Sequence, residues 1–494
     1  MLIPVNTLQT DSAELDQLVN DLGIADISLV ESDAIKGLIK SFMQDLRDDI
    51  FVVKETNYVD RVFRDSYYDY YSTKLRNHNR NCVRLSFFDK DIDSGFVLDN
   101  VDDIRDNYLG FLILRPQQKC IGRNVINRYA RKGGQDIKIC KSEVSSSCYG
   151  IKLMADGFPH ASQDTETMTC AQTTIWMLME YFGNKYSQYK PTVSSEIEKI
   201  LTPFVYERQL PSRGLTYNQV SVALREFGFG TRIYGLHDKK PETPKQFFEL
   251  FACYIESGIP LVAALTNATS GHAVVCVGHE NIDKSVVMSQ HQVVNGKTIY
   301  VWNEAVAQSR FVFNDDNFPC YQLDLLTSPC KRYTARDPKM ASMSMEQFIA
   351  PLYCKVYMEA DMAIEQSKQM VTLLIPDVDG CVVRTLLTSS RTFKEHLAHV
   401  LEFTDAQRKA LLGIPLPKFV WVTEVSTEAQ FMRDKVHSIL LLDATGSQKG
   451  VAMQNMVYML SKGKFYIFNH NNKQITIHTT DYAAEFSAFE GNLK

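Results

Sequence analysis

Cys170 begins a segment whose apolar residues are spaced as on one face of a helix. In CAQTTIWMLMEYFG the apolar stripe ends at Phe182, and the following Gly183 is typical of a residue that stops a helix. Unpaired backbone N–H groups and the helix dipole favour negative charge at a helix start, and the thiolate is the nucleophilic form of cysteine. We therefore predict a helix from Cys170 to Phe182, with Cys170 as a nucleophile.

A cysteine nucleophile needs a base, and His272 is the best candidate. It begins the apolar strand HAVVCVG and follows Gly271, whose missing side chain leaves room for a substrate backbone. His279 lies seven residues further along, and this odd separation places it on the other face of a regular strand. We therefore expect His272, rather than His279, to act as general base and acid.

The base in turn needs an orienting group at the end of a neighbouring strand. The segment RFVFNDDN offers such a group where a strand leaves the core. We favour Asp315, with Asn314 as the alternative. Asp283, in the long segment between His272 and this strand, is a rival for the same role.

Gln163 precedes Cys170 by seven residues. At this spacing its side-chain amide is placed to donate to an oxyanion beside the Cys170 backbone N–H. A preorganised donor of this kind stabilises a tetrahedral intermediate by about 3 kcal/mol. We therefore expect Gln163 to be an oxyanion donor, with a simple loop residue as the alternative.

The elements that must position these residues alternate between helices and strands in the middle third of the chain. Thr216 and Gln219 have the spacing of a capping box, which predicts a helix that ends near Gly228. Thr243 followed by Pro244 predicts another helix start. The segments PLVAALTN, HAVVCVG and RFVFND then read as strands. Helices in front and strands behind indicate an α+β unit.

The outer thirds of the chain also predict α+β folds. The first third combines the helical spacing of IKGLIKSFMQDL and YVDRVFRDSYYDYYS with the apolar strands CVRLSFF and YLGFLILRP. The last third reads as strands in LYCKVYME, VTLLIP, FVWVTEV, SILLLDA, KFYIFNH and QITIHTT, around helices near 392–401 and 428–435. We predict three α+β domains, at residues 1–150, 151–330 and 340–494.

Composition excludes several classes of protein. The 494 residues contain 45% hydrophobic and 22% charged residues, which is ordinary for a globular chain. The eleven cysteines are an odd number and form no CxxC pair, which argues against a disulfide framework or a zinc ribbon and favours the cytosol. No secretion signal and no membrane-length apolar run is visible, so we expect no membrane partner. No P-loop, GxGxxG or HExxH motif supports nucleotide or metal chemistry.

The net charge of −5 names no partner, but residues 115–141 contain eight Lys and Arg and the single acid Asp136. This basic strip could bind an acidic partner or RNA, and the alternative is a solvated basic face.

The pattern of these motifs resembles that of papain-like cysteine peptidases. A glutamine stands a few residues before a cysteine that opens a helix, then come Gly-His-Ala-Val-Val and a strand that ends in Asn-Asp. The likeness is greatest to the bacterial branch that cleaves double-glycine leader peptides, and it covers about residues 151–330. Ala171 stands where that family usually has glycine.

The resemblance implies a papain-like central domain with Cys170 as nucleophile, His272 as base and acid, Asp315 as imidazole orienter and Gln163 as oxyanion donor. We expect a cytosolic bacterial peptidase that acts on a protein or peptide through a thioester and requires no metal or organic cofactor. Two alternatives remain open. The same triad could transfer the acyl group to an amine, as transglutaminase-like enzymes do, or the domain could be an inactive recognition module.

Overall fold

The computed structural model of the chain describes residues 2–92, 101–237, 243–446, 452–469 and 474–494. Within these residues, helices pack on three large sheets in which nearly all neighbouring strands are antiparallel. The fold class is therefore α+β, as the sequence predicts.

The strands of the described residues are, in chain order, β1 (Leu2–Pro4), β2 (Phe51–Tyr58), β3 (Cys82–Phe88), β4 (Tyr108–Leu114), β5 (Ile121–Ile126), β6 (Ile137–Ile139), β7 (Ser142–Cys148), β8 (Ile151–His160), β9 (Phe229–Gly235), β10 (Leu261–Thr266), β11 (Gly271–Glu280), β12 (His291–Val294), β13 (Lys297–Val301), β14 (Arg310–Asn314), β15 (Gln322–Leu325), β16 (Ser344–Tyr353), β17 (Cys381–Ser389), β18 (Phe419–Ser426), β19 (Lys435–Val436), β20 (Ser438–Asp443), β21 (Met456–Ser461), β22 (Lys464–Asn469), β23 (Gln474–Thr479) and β24 (Phe486–Ser487).

The α-helices of the same residues are α1 (Val5–Thr10), α2 (Ser12–Leu22), α3 (Leu29–Gln44), α4 (Arg61–Asp69), α5 (Val101–Asp106), α6 (Cys170–Lys185), α7 (Ser194–Leu201), α8 (Tyr217–Glu226), α9 (Pro244–Glu256), α10 (Trp302–Val306), α11 (Pro338–Ala341), α12 (Ala360–Leu374), α13 (Ser390–His399), α14 (Asp405–Gly413) and α15 (Glu428–Met432).

Three sheets organise these elements. The first has the order β1-β2-β3-β4-β5-β8-β7, and the second has the order β15-β14-β11-β10-β16-β9, with β6 paired to β11. The third has the order β12-β13-β17-β18-β20-β21-β22-β23. Helix α6 lies against β7, β8 and β11, so it joins the first two sheets.

All three large sheets cross positions at which the sequence predicts domain boundaries. Strand β8 begins at residue 151, yet it pairs with β5 and β7 of the first sheet. Strand β16 lies beyond residue 340, yet it pairs with β10 and β9 of the second sheet. Strands β12 and β13 lie before residue 330, yet β13 pairs with β17 of the third sheet. The division into three domains stays a prediction, and the described sheets are shared between its parts.

Most predicted elements of the middle third are present. The capping box of Thr216 and Gln219 opens α8, and Thr243 caps α9 with Pro244 as its first residue. The predicted end of α6 is wrong, because the helix runs through Gly183 to Lys185. A Cβ atom at Gly183 would lie 2.3 Å from the backbone nitrogen of Pro191, so this glycine permits a close backbone approach.

Two predicted strands of the last third are wrong. The segment VTLLIP is the end of helix α12, whose buried residues follow helical spacing. In LYCKVYME only the first two residues belong to a strand, because β16 ends at Tyr353 and the chain turns at the exposed Cys354. Short apolar runs fit a buried strand and a buried helix turn equally well, which explains the first error.

None of the helices in the described part of the chain combines the length and the apolarity that a membrane crossing requires.

Candidate active site

Cys170 is the first residue of α6 and is partly exposed, whereas the thiols of nine other cysteines are buried. The N-cap residue Thr169 makes no side-chain capping bond to the helix, because its hydroxyl binds the side chain of Gln172. The N-cap side chain therefore accepts no hydrogen bond from the backbone N–H groups of the first helical turn. A helix start of this kind stabilises an anion at the position of the Cys170 sulfur.

The loop before Cys170 is held by one carboxylate. Asp164 Oδ1 accepts backbone N–H bonds from Glu166 at 2.9 Å, Thr167 at 2.7 Å and Met168 at 2.8 Å. Three such bonds fix the backbone that leads into the helix, and so fix the position of the thiol.

Arg115 braces the same loop from the first sheet. Its guanidinium donates to the backbone oxygens of Ile121 at 2.9 Å and Ser162 at 3.0 Å. The side chain is buried, so a residue of the predicted basic strip has a structural role next to the candidate site.

His272 lies at the start of β11, which is paired to β10 through Leu265. Thr174 of α6 donates to the carbonyl of Ala273 at 3.3 Å, and this contact holds the helix beside the strand. Cys170 raises the pKa of the His272 imidazole, and His272 Nε2 lies 3.0 Å from Asp315 Oδ1. The structure therefore brings together the three residues that the sequence predicts.

The surroundings of His272 favour its protonated form. Burial alone opposes a positive charge on the ring, but the negative charge and hydrogen bond of Asp315 outweigh it. Cys170 acts in the same direction, and the pKa of His272 lies well above its usual value. A protonated imidazole next to a thiolate is the arrangement that an activated cysteine requires.

Asp315 follows directly after β14 and is fully buried. Besides the His272 contact, its carboxylate accepts a bond from the backbone N–H of Asn317 at 3.0 Å. The Arg332 guanidinium lies 2.5 Å from Oδ2, and the Tyr333 hydroxyl lies 2.9 Å from the same atom. Burial raises the pKa of Asp315, but Arg332 and His272 outweigh it and hold that pKa well below its usual value.

Sequence reasoning missed three residues that surround the triad. Arg332 and Tyr333 come from a short 3₁₀ turn, Lys331–Tyr333, that has no periodic signal. His160, at the end of β8, holds the backbone oxygen of Asp315 with its Nε2 at 3.0 Å. Burial lowers the pKa of His160 to about 4, so its neutral ring donates this bond.

Asp316 is a second buried carboxyl beside the imidazole. Its Oδ1 lies 3.6 Å from His272 Nε2, and neither carboxyl oxygen has a hydrogen-bond partner among the described residues. Burial raises the pKa of Asp316 to about 7; the charge of His272 opposes this shift and that of Asp315 adds to it. Two neighbouring carboxyls thus face one imidazole with pKa values shifted in opposite directions.

The rivals for the orienting role lie elsewhere. Asn314 is buried, and its Oδ1 accepts the backbone N–H of Tyr321 at 2.8 Å. Asp283 is exposed and caps the 3₁₀ turn Lys284–Ser289 through the N–H of Ser285. Among the three candidates, Asp315 is the one in contact with the ring of His272.

Gln163 joins the network that surrounds Asp315. Its Nε2 donates to Asn317 Oδ1 at 3.0 Å, and Asn317 Nδ2 donates to the Tyr333 hydroxyl at 3.0 Å. A side-chain amide carries two N–H donors, and one N–H of Gln163 is engaged by Asn317. The role of Gln163 as an oxyanion donor stays a prediction.

His272, Asp315 and Asp316 are also the one group of ligating side chains in the described residues whose donor atoms lie close enough to hold a metal ion. The guanidinium of Arg332 occupies one oxygen of Asp315 and repels a second cation. The donor set therefore suits a proton-transfer site better than a metal centre.

No model of a known protein family matches the sequence, and no curated protein matches it. The function must therefore be inferred from the geometry of the site itself.

Proposed function

We propose that the protein is a cysteine peptidase of papain-like type that cleaves a peptide or isopeptide bond. The supporting observation is the chain of contacts from Cys170 through His272 to Asp315, with the thiol at a helix start and partly exposed. The sequence order of the three residues and their positions at element ends are those of the family that the sequence resembles.

In the proposed reaction the Cys170 thiolate attacks the carbonyl carbon and forms a C–S bond. The imidazolium of His272 then gives its proton to the leaving nitrogen as the C–N bond breaks. Water next attacks the thioester, His272 takes one proton from it, and the C–S bond breaks to release a carboxylic acid. Asp315 remains ionised throughout and holds the ring in one tautomer.

The developing oxyanion is stabilised by the backbone N–H of Cys170 and by the second amide N–H of Gln163. Each donor of this kind contributes about 3 kcal/mol to the stability of the transition state. These residues alone complete the proposed reaction, which uses no metal or organic cofactor.

The cytosol of a bacterium is the proposed location. All eleven cysteines are free thiols, as expected for a protein kept in a reducing compartment. The proposed partner is a protein or peptide substrate. An acidic partner or RNA at the basic strip stays a prediction, since six of the strip's eight cations already bind groups of this chain: Arg115, Arg123, Arg128, Arg131, Lys132 and Lys141.

The test compares labelling by an iodoacetamide probe at about pH 6, where an unassisted thiol is protonated. We expect wild type and Cys354→Ala to be labelled at residue 170, and Cys170→Ala to lose this labelling. Cys354 is the matched control because it is the exposed cysteine of the chain. A peptide library incubated with the same three proteins should yield products with wild type and Cys354→Ala only. Equal labelling and equal turnover by wild type and Cys170→Ala would contradict the proposal.

Acyl transfer to an amine is the second candidate reaction of the same triad. An amine acceptor added to the peptide assay separates the two outcomes by mass spectrometry. Hydrolysis predicts products with a free carboxyl group, whereas acyl transfer predicts conjugates. The third candidate, an inactive recognition module, requires that wild type show no alkylation at pH 6 beyond that of His272→Ala.

A further inference from the structure

The residues that hold Asp315 come from one short turn. The 3₁₀ turn Lys331–Tyr333 follows β15 and places Arg332 and Tyr333 against the carboxylate of Asp315. Both side chains are buried. Neither residue belongs to the triad that the sequence predicts.

Two nitrogens of Arg332 donate to Oδ2 of Asp315, Nη2 at 2.5 Å and Nε at 3.1 Å. Its Nη1 lies 2.5 Å from Asp324 Oδ2, so a second carboxylate fixes the guanidinium from behind. A planar guanidinium held at both ends leaves the carboxylate one orientation.

Tyr333 contacts both members of the His–Asp pair. Its hydroxyl lies 3.0 Å from Asp315 Oδ1, 2.9 Å from Oδ2 and 3.3 Å from His272 Nε2. Burial and the charge of Asp315 raise the pKa of Tyr333, so the hydroxyl stays protonated and donates to the carboxylate.

Within the described part of the chain, the neighbouring Asp316 lacks the hydrogen-bond donors that surround the Asp315 carboxylate. It lies next in sequence and 3.6 Å from the same imidazole nitrogen, but no described residue donates to its carboxyl oxygens. Two carboxyls are thus within reach of His272, and the donors converge on one of them.

We propose that Arg332 and Tyr333 are positioning residues that fix Asp315, in preference to Asp316, as the partner of His272. This inference rests on the proposed function and extends it by two residues. They act on the reaction through the His272–Asp315 pair.

The test measures the alkylation rate of Cys170 by iodoacetamide as a function of pH, which needs no substrate. At about pH 6 the rate reports a thiolate stabilised by a well-oriented imidazolium, and at about pH 9 it reports a thiol that ionises without help. For Tyr333→Phe we expect the ratio of the rates at pH 6 and pH 9 to fall about tenfold. For Arg332→Gln we expect a larger fall, and Arg332→Lys should restore part of it.

The matched control is Tyr254→Phe. Tyr254 is a buried tyrosine of α9 whose hydroxyl lies 2.8 Å from the Tyr234 hydroxyl, away from the triad. It should lower the melting temperature and leave the ratio unchanged. If Arg332→Gln does not fold, Tyr333→Phe carries the test, because it keeps the ring that packs on Phe318.

The two proposals fail in different ways. A wild-type protein without elevated alkylation at pH 6 would overturn the proposed function, and this inference with it. An elevated wild-type rate that persists in Tyr333→Phe and Arg332→Gln would overturn the positioning role alone. A fall in the ratio at unchanged folding, with a lower kcat and an unchanged KM on any substrate found, supports both.

Discussion

Two histidines of strand β11 pair with buried carboxylates, but their surroundings differ. His272 contacts Asp315 with Nε2, and its pKa is also raised by Cys170. His279 contacts Glu256 with Nε2 at 2.7 Å, and its Nδ1 lies 2.6 Å from its neighbour's backbone oxygen. Both ring nitrogens of His279 are thus engaged by groups that perform no chemistry.

The carboxylates of the two pairs have similar support. An arginine contacts each one, Arg332 at Asp315 and Arg384 at Glu256, and each accepts a further neutral donor. A buried His–carboxylate pair with an arginine is therefore insufficient to identify a catalytic site. The distinguishing feature is the partly exposed thiol of Cys170 at a helix start, which raises the pKa of His272.

The largest expected effect comes from removing each imidazole in turn. His272→Ala should lower kcat on the order of 10⁴-fold, because the proton has no base or acid to carry it. His279→Ala should leave the alkylation rate of Cys170 unchanged and lower the free energy of unfolding by about 3 kcal/mol, because it removes a hydrogen-bond partner of the buried Glu256 carboxylate. Steady-state kinetics measures kcat, alkylation kinetics measures the reactivity of Cys170, and urea unfolding measures the free energy of unfolding. Equal loss of reactivity in both variants would remove the distinction between the pairs.

The second prediction concerns the donors that serve each pair. Gln163→Ala should lower kcat by about 10²-fold with little change in KM, because an oxyanion donor acts in the transition state. Trp302 donates its Nε1 to Glu256 at 2.7 Å, and Trp302→Phe should reduce the free energy of unfolding by about 2 kcal/mol without changing kcat. Steady-state kinetics on a substrate from the library checks kcat and KM of both variants, and urea unfolding checks the stability of Trp302→Phe. An unchanged kcat in Gln163→Ala would show that Gln163 does not stabilise the oxyanion and serves only to hydrogen bond with Asn317.

Acid should expose the structural role of the Glu256 pair. Burial raises the pKa of Glu256, but the charge of Arg384 and the bond from His279 outweigh it, so the pKa lies well below its usual 4.5. The stability from this group is present above pH 4.5 and is lost as pH falls towards the folded pKa, by up to about 1.4 kcal/mol per pH unit. Unfolding free energies of wild type and Glu256→Gln should therefore converge below pH 4.5. Glu490→Gln, at an exposed ion pair, should show no such convergence.

The sequence predicts the triad because its members stand at the ends of periodic elements. The apolar stripe of α6 begins at Cys170, His272 stands at the start of the apolar strand β11, and the apolar strand β14 leads into Asp315. The fold class and the middle helices follow from the same periodicity and from their caps.

The surrounding residues could not be predicted, because they come from segments without a period. Arg332 and Tyr333 lie in a three-residue turn, and His160 reaches Asp315 from a strand 155 residues away in sequence. Gly183 misled the helix prediction because a glycine that admits a neighbouring backbone looks the same in sequence as a glycine that ends a helix. Long-range contacts and close approaches become visible only in three dimensions.

The smallest predicted effect is also specific to the His272 pair, since it concerns Asp316. This carboxyl is neutral below its pKa of about 7, and above that pH its charge lies 3.6 Å from His272 Nε2 and favours the imidazolium. Asp316→Asn removes this charge, so the ring should lose its proton at a pH lower by about one unit or less. With increasing pH, the alkylation rate of Cys170 should rise a second time where His272 loses its proton and leaves a free thiolate. In Asp316→Asn the pH of this second rise should be lower by the same amount. A second rise at an unchanged pH would show that Asp316 does not ionise near His272 and that Asp315 alone sets the charge of the ring.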